Sequence, residues 1–250
     1  MVKRRIIPTL LTDGVSLVKG ERFQSWRTVG SVVAAARVFA MRDVDELTVL
    51  DVRATAEHRT ISPRMIAEVA EAMQVPLSVG GGVATLEAFE SALRAGADKV
   101  VLGSAALDDG FVVACANRFG AQAVVVAVDV IEDGAGETTA MSGTRPTGLG
   151  AAELAARVVV AGAGEILVQT VSRDGTLDGM NIDSFRQVAQ AVSVPVIASS
   201  GAGNYYDLLA AFQSGVDAVA AGAMFQFTEQ TPKGARDFLA ARGIDVRLSG

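Results

Sequence analysis

Short runs of apolar and β-branched residues recur along the chain at Arg5–Leu10, Glu46–Asp51, Leu77–Val79, Lys99–Leu102, Ala123–Asp129, Glu165–Gln169, Val194–Ala198 and Ala218–Ala221. Their apolar positions are close to continuous, the pattern of strands buried on both faces. Between them lie stretches such as SVVAAARVFAMRDV and LEAFESALRAGA, in which apolar residues fall three and four apart on one helical stripe. Strand, helix and strand in succession imply a right-handed crossover and a parallel sheet. Eight such units in 250 residues predict a single α/β domain over residues 1–250, a (β/α)8 TIM barrel. A doubly wound open sheet is the structural alternative, and the even spacing of the runs favours closure.

The chain also repeats itself. Gly82 and Gly201, Gly96 and Gly215, Asp98 and Asp217, and Gly103 and Gly222 are each 119 residues apart. One shared offset over two units predicts two similar half-barrels, about 1–120 and 121–250.

Composition narrows the partners. The net charge of −6 and pI near 4.9 exclude a general polyanion-binding face, so nucleic acid is not expected. No apolar run reaches membrane-spanning length, and MVKRRIIPTLL lacks a signal-peptide core, so no membrane is expected and a cytoplasmic location is. The single cysteine, Cys115, and single histidine, His58, form no zinc-type spacing, and neither a metal nor an organic cofactor is signalled. Cys115 lies in the helical pattern FVVACANRF and reads as a buried structural thiol.

Glycines gather where the strands end. Gly80, Gly81 and Gly82 follow the third strand, and Gly103 with Ser104 follows the fourth. Ser200, Gly201, Ala202 and Gly203 follow the seventh, and Gly222 with Ala223 the eighth. Glycine admits close backbone approach, and amides at a strand mouth attract phosphate. Two such clusters on one barrel mouth predict an elongated ligand with a phosphate at each end, although tight turns alone explain any single glycine.

RIIP at Arg5–Pro8, VGGG at Val79–Gly82, GADKV at Gly96–Val100, the strand ending in Asp129, GAGEIL at Gly162–Leu167, RDGT at Arg173–Thr176, IASSGAG at Ile197–Gly203 and VRL at Val246–Leu248 resemble the cyclase subunit (HisF) of imidazole glycerol phosphate synthase. The likeness runs essentially end to end. It implies a barrel that takes ammonia from a glutaminase subunit (HisH) and uses it on a ribulosyl substrate with two phosphates. It also implies an acid–base pair of aspartates ending strands one and five. Asp129 supplies the second. The first falls at Leu11, in phase with Arg5, Ile7 and Thr9; the 119-residue repeat would choose Leu10 instead. Either residue has no proton to exchange. Asp13 could substitute only if its loop reshaped, and Asp13-Gly14 also reads as a turn. Gly103 departs from the asparagine usual there. The resemblance puts Lys19 near substrate phosphate, on a segment, DGVSLVKGERFQSWRTVG, expected to be a mobile loop; an exposed lysine is the plainer reading. Asp51 is expected to orient polar groups at the mouth or to cap a loop. Asp174, Gly175 and Thr176 are expected beside the second phosphate. DVIEDGAGETTAMSGTRPTG reads as a hairpin over the active face, with Ser142 and Thr147 as candidate contacts. Trp26 reads as a stacking group or loop anchor.

The opposite face carries Arg5, Glu46, Lys99 and Glu165 at the starts of four strands. Charges aimed into a narrow floor must pair. The resemblance implies that they gate ammonia entry and that Asp98 faces the glutaminase; a structural plug would use the same charges. With the top altered and the floor intact, a branch of HisF-like paralogues of the WbuZ type, associated with sugar amidation, fits: it shares IPxLL on strand one, VG at Val29–Gly30 and AVAAG at Ala218–Gly222. The leading expectation is an amidotransferase subunit that relays ammonia to a diverged acceptor, either directly or through a third protein. The alternatives are a working imidazole glycerol phosphate synthase cyclase in histidine biosynthesis and a non-catalytic module that binds a phosphorylated sugar.

Overall fold

The computed structural model describes residues 3–132, 137–141 and 143–247. In chain order the elements are β1 (Arg5–Thr12), β2 (Leu17–Glu21), β3 (Gln24–Gly30), α1 (Val32–Ala40), β4 (Leu47–Asp51), α2 (Pro63–Ala72), β5 (Leu77–Gly80), α3 (Leu86–Arg94), β6 (Lys99–Leu102), α4 (Asp109–Phe119) and β7 (Val124–Val130). The second half contains β8 (Glu137–Ala140), β9 (Arg145–Gly150), α5 (Ala151–Val160), β10 (Glu165–Thr170), α6 (Ile182–Ala191), β11 (Val196–Ser199), α7 (Tyr205–Gln213), β12 (Ala218–Ala221), α8 (Ala223–Phe227) and α9 (Pro232–Ala240).

Eight strands close into a parallel barrel in the order β1, β4, β5, β6, β7, β10, β11, β12, with β12 pairing back onto β1. This is the predicted (β/α)8 architecture. Among the described residues no helix is long and apolar enough to cross a membrane.

Strand alternation divides the core in two. Ile6, Leu10, Val49, Val79, Val126 and Val168 face the helices in an outer shell. Ile7, Val101, Val125, Leu167, Ile197, Ala218 and Ala220 fill the barrel axis, with Leu50 and Ala127 packed against them. Ile7 and Val125 lie in this same inner cluster, yet they are 118 residues apart rather than 119. The first half is therefore one residue short between its first two strands. A slip of one reverses which face a side chain takes, so Leu11 is the inward partner of Asp129, and Leu10, fully buried, packs outward.

Three aspartates tie the lower ends of the strands together. Asp45 accepts the Ile6 amide at 2.9 Å, Asp98 the Leu77 amide at 2.8 Å and Asp217 the Val196 amide at 3.1 Å. The repeated Gly-x-Asp motif is thus structural at its base: Gly96 and Gly215 turn out of the preceding helix at φ +110° and +105°, and the aspartate caps the neighbouring strand.

Several boundaries differ from the sequence expectation. The first strand runs on to Thr12 because Leu11 and Thr12 pair antiparallel with Val18 and Leu17 of β2. The segment after it is not a bare loop but the hairpin β2–β3. β11 begins at Val196 and not at Val194: Pro195 has no N–H to give a ladder. The expected hairpin after the fifth barrel strand is β8–β9, on which Thr147 bonds Thr138. Cys115 is buried in α4 as expected, and burial pushes its thiol up to about 11.

Leu10→Asp is expected to cost about 4 kcal/mol or more, because it buries a carboxylate between sheet and helices. Leu11→Asp, at the cavity wall, should cost under about 2 kcal/mol. Urea denaturation of the two variants checks the phase of β1, and the reverse ranking would mean that the strand sits one residue out of register.

Candidate active site

The C-terminal ends of the barrel strands surround an open cavity of about 1140 Å³, counting its solvent-filled mouth. Its floor is apolar: Leu11, Leu50, Val101 and Ala127 come from β1, β4, β6 and β7. Leu11 is only 8% exposed. Where the resemblance implied a carboxylate, the cavity therefore meets hydrocarbon.

Asp129, near the end of β7, points into this space and accepts a hydrogen bond from Gln169 Nε2 at 3.0 Å. Burial drives its pKa up to about 6; the charge of Asp174 adds to the rise, and the Gln169 bond opposes it. Asp174 is also pushed up to about 6 by burial, against the pull of Lys19 and of the Ser200 hydroxyl, which lies 3.4 Å from Oδ1. Lys19, 5% exposed, lines the same cavity. Burial lowers its pKa to about 8, with Asp174 acting to raise it. Three titrating groups thus stand where a proton can be held or released between mildly acidic and mildly alkaline pH.

The β2–β3 hairpin brings Lys19 to this position. The Arg22 amide donates to the Asp174 carbonyl at 2.8 Å. A Cβ on Gly175 would lie 2.2 Å from the Gly20 carbonyl, so the hairpin can rest on the loop after β10 only because Gly175 has none. At the end of β12, a Cβ on Gly222 would lie 2.5 Å from Lys19 Nζ, so this glycine makes room for the ammonium. The plain reading of Lys19 as an exposed lysine is overturned.

The remaining candidates divide. Gly81, Gly82, Gly103, Ser104, Gly175, Gly201 and Ala223 line the cavity with Asp51, Asp174 and Gly222. Asp51 is already engaged: Oδ1 accepts the Arg53 and Ala54 amides at 3.1 Å, and the Arg59 guanidinium pairs with its carboxylate. Its role is the loop cap. Gly82 is packed against the Arg59 carbonyl and Gly201 against that of Gly179, so tight backbone packing accounts for both. Asp13 is a correction: its Oδ1 accepts the Val15 and Ser16 amides, the turn reading, and it does not line the cavity. Thr176 is another, since its hydroxyl donates to the Arg173 carbonyl within its own turn. Gly203 is a third, held against the Leu177 carbonyl and off the cavity wall. Ser142 lies outside the described residues. His58 is exposed in a turn, whereas Trp26 and Phe23 form an aromatic side of the mouth.

Gln169, Thr9 and Ser199 are among the lining residues that escape the sequence reading of the site. Gln169 and Thr9 follow from phase alone, being four residues beyond the inward Glu165 and Arg5. Thr9 Oγ1 is buried with no hydrogen-bond partner among the described residues. Ser199 ends β11 at the cavity wall. Ser200, already part of the second glycine cluster, has φ +80°, a strained conformation for a residue with a Cβ and one that gathers at functional sites.

At the other end of the barrel, Arg5, Glu46, Lys99 and Glu165 form a closed ring. Arg5 meets Glu46 at 2.6 Å and Glu165 at 3.1 Å, and Lys99 meets each of them at 3.0 Å. Ser78 donates to the remaining Glu46 oxygen at 2.6 Å. Burial opposes the Arg5 charge, but Glu165 and Glu46 outweigh it and raise its pKa. Asp98 is exposed on this face, with one oxygen occupied by the Leu77 amide.

A parallel eight-stranded barrel with an ionisable cavity at its C-terminal mouth is an α/β-barrel of the enzyme-bearing kind. The chain matches the model for the histidine biosynthesis protein family over residues 5–231 and belongs to that family. It is a barrel of the HisA/HisF type.

Asp129 binds its proton more tightly in the folded chain than in the unfolded one, so its ionisation costs stability as pH rises from about 4 through 6 and the cost persists above. Asp129→Asn removes that cost while keeping an oxygen for Gln169. The variant should match the parent near pH 4 and exceed it by about 3 kcal/mol near pH 8. Thermal or urea unfolding at the two pH values checks this, and a difference independent of pH would contradict the raised pKa.

Proposed function

We propose that this chain is a HisF-like subunit of a glutamine amidotransferase, taking ammonia from a HisH-like glutaminase through the barrel floor and delivering it to an acceptor other than the histidine-pathway one. The observation that carries this reading is the contrast between the two ends. The floor keeps a complete ring of two cations and two carboxylates, while the mouth has Leu11 opposite Asp129.

A plug needs only apolar side chains, which fill a barrel axis at no desolvation cost. A charged ring is a poorer plug but a better gate, because its partners can exchange as it opens. Above it the axis is lined by Ile7, Val101, Val125, Leu167 and Ile197, surroundings that suit neutral ammonia and exclude ammonium. Asp98, exposed beside the ring, is the residue we assign to the glutaminase interface.

At the mouth, Asp129 and Asp174 keep proton-transfer capacity near neutral pH, and Lys19 supplies a cation for a phosphorylated sugar. With leucine in place of the first aspartate, ring closure by an acid–base pair across β1 and β7 has no first partner. A paralogue of the WbuZ type, in which ammonia serves sugar amidation with the help of a third protein, accounts for both ends. A cytoplasmic setting fits this assignment.

Arg5→Ala should leave Lys99 shared between two carboxylates and cost about 3 kcal/mol in urea denaturation. Added to a HisH-type glutaminase, the unaltered chain should stimulate glutamine hydrolysis, and Arg5→Ala should uncouple that hydrolysis from ammonia delivery. No complex and no stimulation would overturn the assignment.

A further inference from the structure

The two halves of the barrel each set a pair of neighbouring side chains at the mouth. In the first half Leu11 of β1 lies beside Leu50 of β4, its partner in the parallel ladder. In the second half Asp129 of β7 lies beside Gln169 of β10. Leu50 and Gln169 are 119 residues apart, as Glu46 and Glu165 are at the floor. Leu11 and Asp129 hold equivalent inward places once the residue absent from the first half is allowed for. One half thus pairs hydrocarbon with hydrocarbon, and the other pairs an acid with an amide.

The fold alone does not ask for that amide. Leu50 shows that leucine fills the equivalent place on the wall, and beneath Asp129 and Gln169 the ladder pairs Ala127 with Leu167, both packed in the apolar axis. Gln169 Nε2 donates to Asp129 Oδ1 at 3.0 Å, and among the described residues neither side chain makes another hydrogen bond. An amide N–H only donates, and the carboxyl oxygen that accepts from it becomes the less basic of the two. The proton of Asp129 therefore belongs on Oδ2. Thr139, which covers Asp129 from the second hairpin, and Gly103 at the end of β6 carry no charge. The other charged side chains of the cavity are Lys19, Asp51 and Asp174. Asp51 is held by Arg59, Lys19 is drawn to Asp174, and Asp174 acts on Asp129 through its charge alone.

We propose that Gln169 is a positioning residue for Asp129: it takes Oδ1 and leaves Oδ2 as the one oxygen that exchanges a proton with a group bound in the mouth. A bound N–H or O–H loses its proton to Oδ2, and the carboxyl so formed is the acid that returns it. One carboxyl held in one orientation serves both steps. The inference rests on the reading of the upper mouth as an acceptor site.

Carbon-13 NMR titration of the full chain, with the Asp129 carboxyl assigned through Asp129→Asn, tests it without any ligand. In the unaltered protein the Gln169 side-chain amide signals should shift together with Asp129, at about pH 6. Gln169→Leu copies what the first half uses at this place and removes the bond that favours the charged form, so the Asp129 midpoint should rise to about 7 or above. Gln169→Glu sets two carboxyls side by side; they should share a proton and titrate with one midpoint below that of the unaltered chain and one above. A merely structural glutamine would leave the Asp129 midpoint where it is. Should the leucine variant fail to fold, the amide signals of the unaltered chain and the glutamate variant still decide. Amide signals indifferent to pH, a midpoint unmoved or lowered in Gln169→Leu, or a single unchanged midpoint in Gln169→Glu would each overturn the assignment. No glutaminase, ammonia or acceptor enters these titrations, so their failure leaves the amidotransferase reading standing, and failure of the glutaminase coupling leaves the pairing of Gln169 with Asp129 standing.

Discussion

Four charges enclosed at the foot of the barrel must satisfy one another, and that constraint organises much of the chain above them. Each cation touches both carboxylates and each carboxylate touches both cations, so removing one member leaves an imbalance that its neighbours cannot share out. Such a ring forms only if Arg5, Glu46, Lys99 and Glu165 all take the inward phase of their strands. That phase in turn sets which side chains enter the barrel higher up: Ile7, Thr9 and Leu11 on β1, Leu167 and Gln169 on β10. The chemistry of the mouth is therefore tied to the floor by strand alternation.

The upper face is built differently. Its ionisable groups come from strand ends and from a hairpin laid over them, and their properties follow from burial beside apolar walls. Asp129 and Asp174 lie near pKa 6 and Lys19 near 8 because little water reaches them. A histidine biosynthesis family barrel with leucine at position 11 keeps these poised groups while losing one arm of the acid–base pair that the resemblance to HisF implied. The two ends of the barrel are separated by its apolar axis, so one can change its chemistry while the other keeps its charges.

Much of this is legible in the sequence, and the reasons are specific. Eight apolar runs and their helical spacers are strong periodic signals, and two of the eight strands match the expected bounds residue for residue, Lys99–Leu102 and Ala218–Ala221. Inward phase selects Leu11 over Leu10, in agreement with the packing, whereas the repeat offset misleads because one residue is absent between β1 and β4 in the first half. Glycines are harder to read. A glycine that makes room for a lysine, as Gly222 does, and one that packs on a carbonyl, as Gly203 does, look identical in sequence. Short polar side chains in turns pose the same difficulty: Asp13 and Thr176 bond to their own loops, while Ser200 turns to Asp174 through a strained backbone that no motif announces. Burial of Lys19 depends on a hairpin docking against Gly175, a tertiary contact invisible to periodicity.

The most direct test of the central claim, that the mouth has left histidine-pathway chemistry, is turnover of the ribulosyl bisphosphate substrate of imidazole glycerol phosphate synthase by the purified chain, with ammonium supplied at alkaline pH so that no glutaminase is needed. Because Leu11 cannot exchange a proton opposite Asp129, no imidazole glycerol phosphate should form above background. Robust formation of that product would show that the leucine-ended strand supports the cyclase reaction and that the mouth has kept histidine-pathway chemistry.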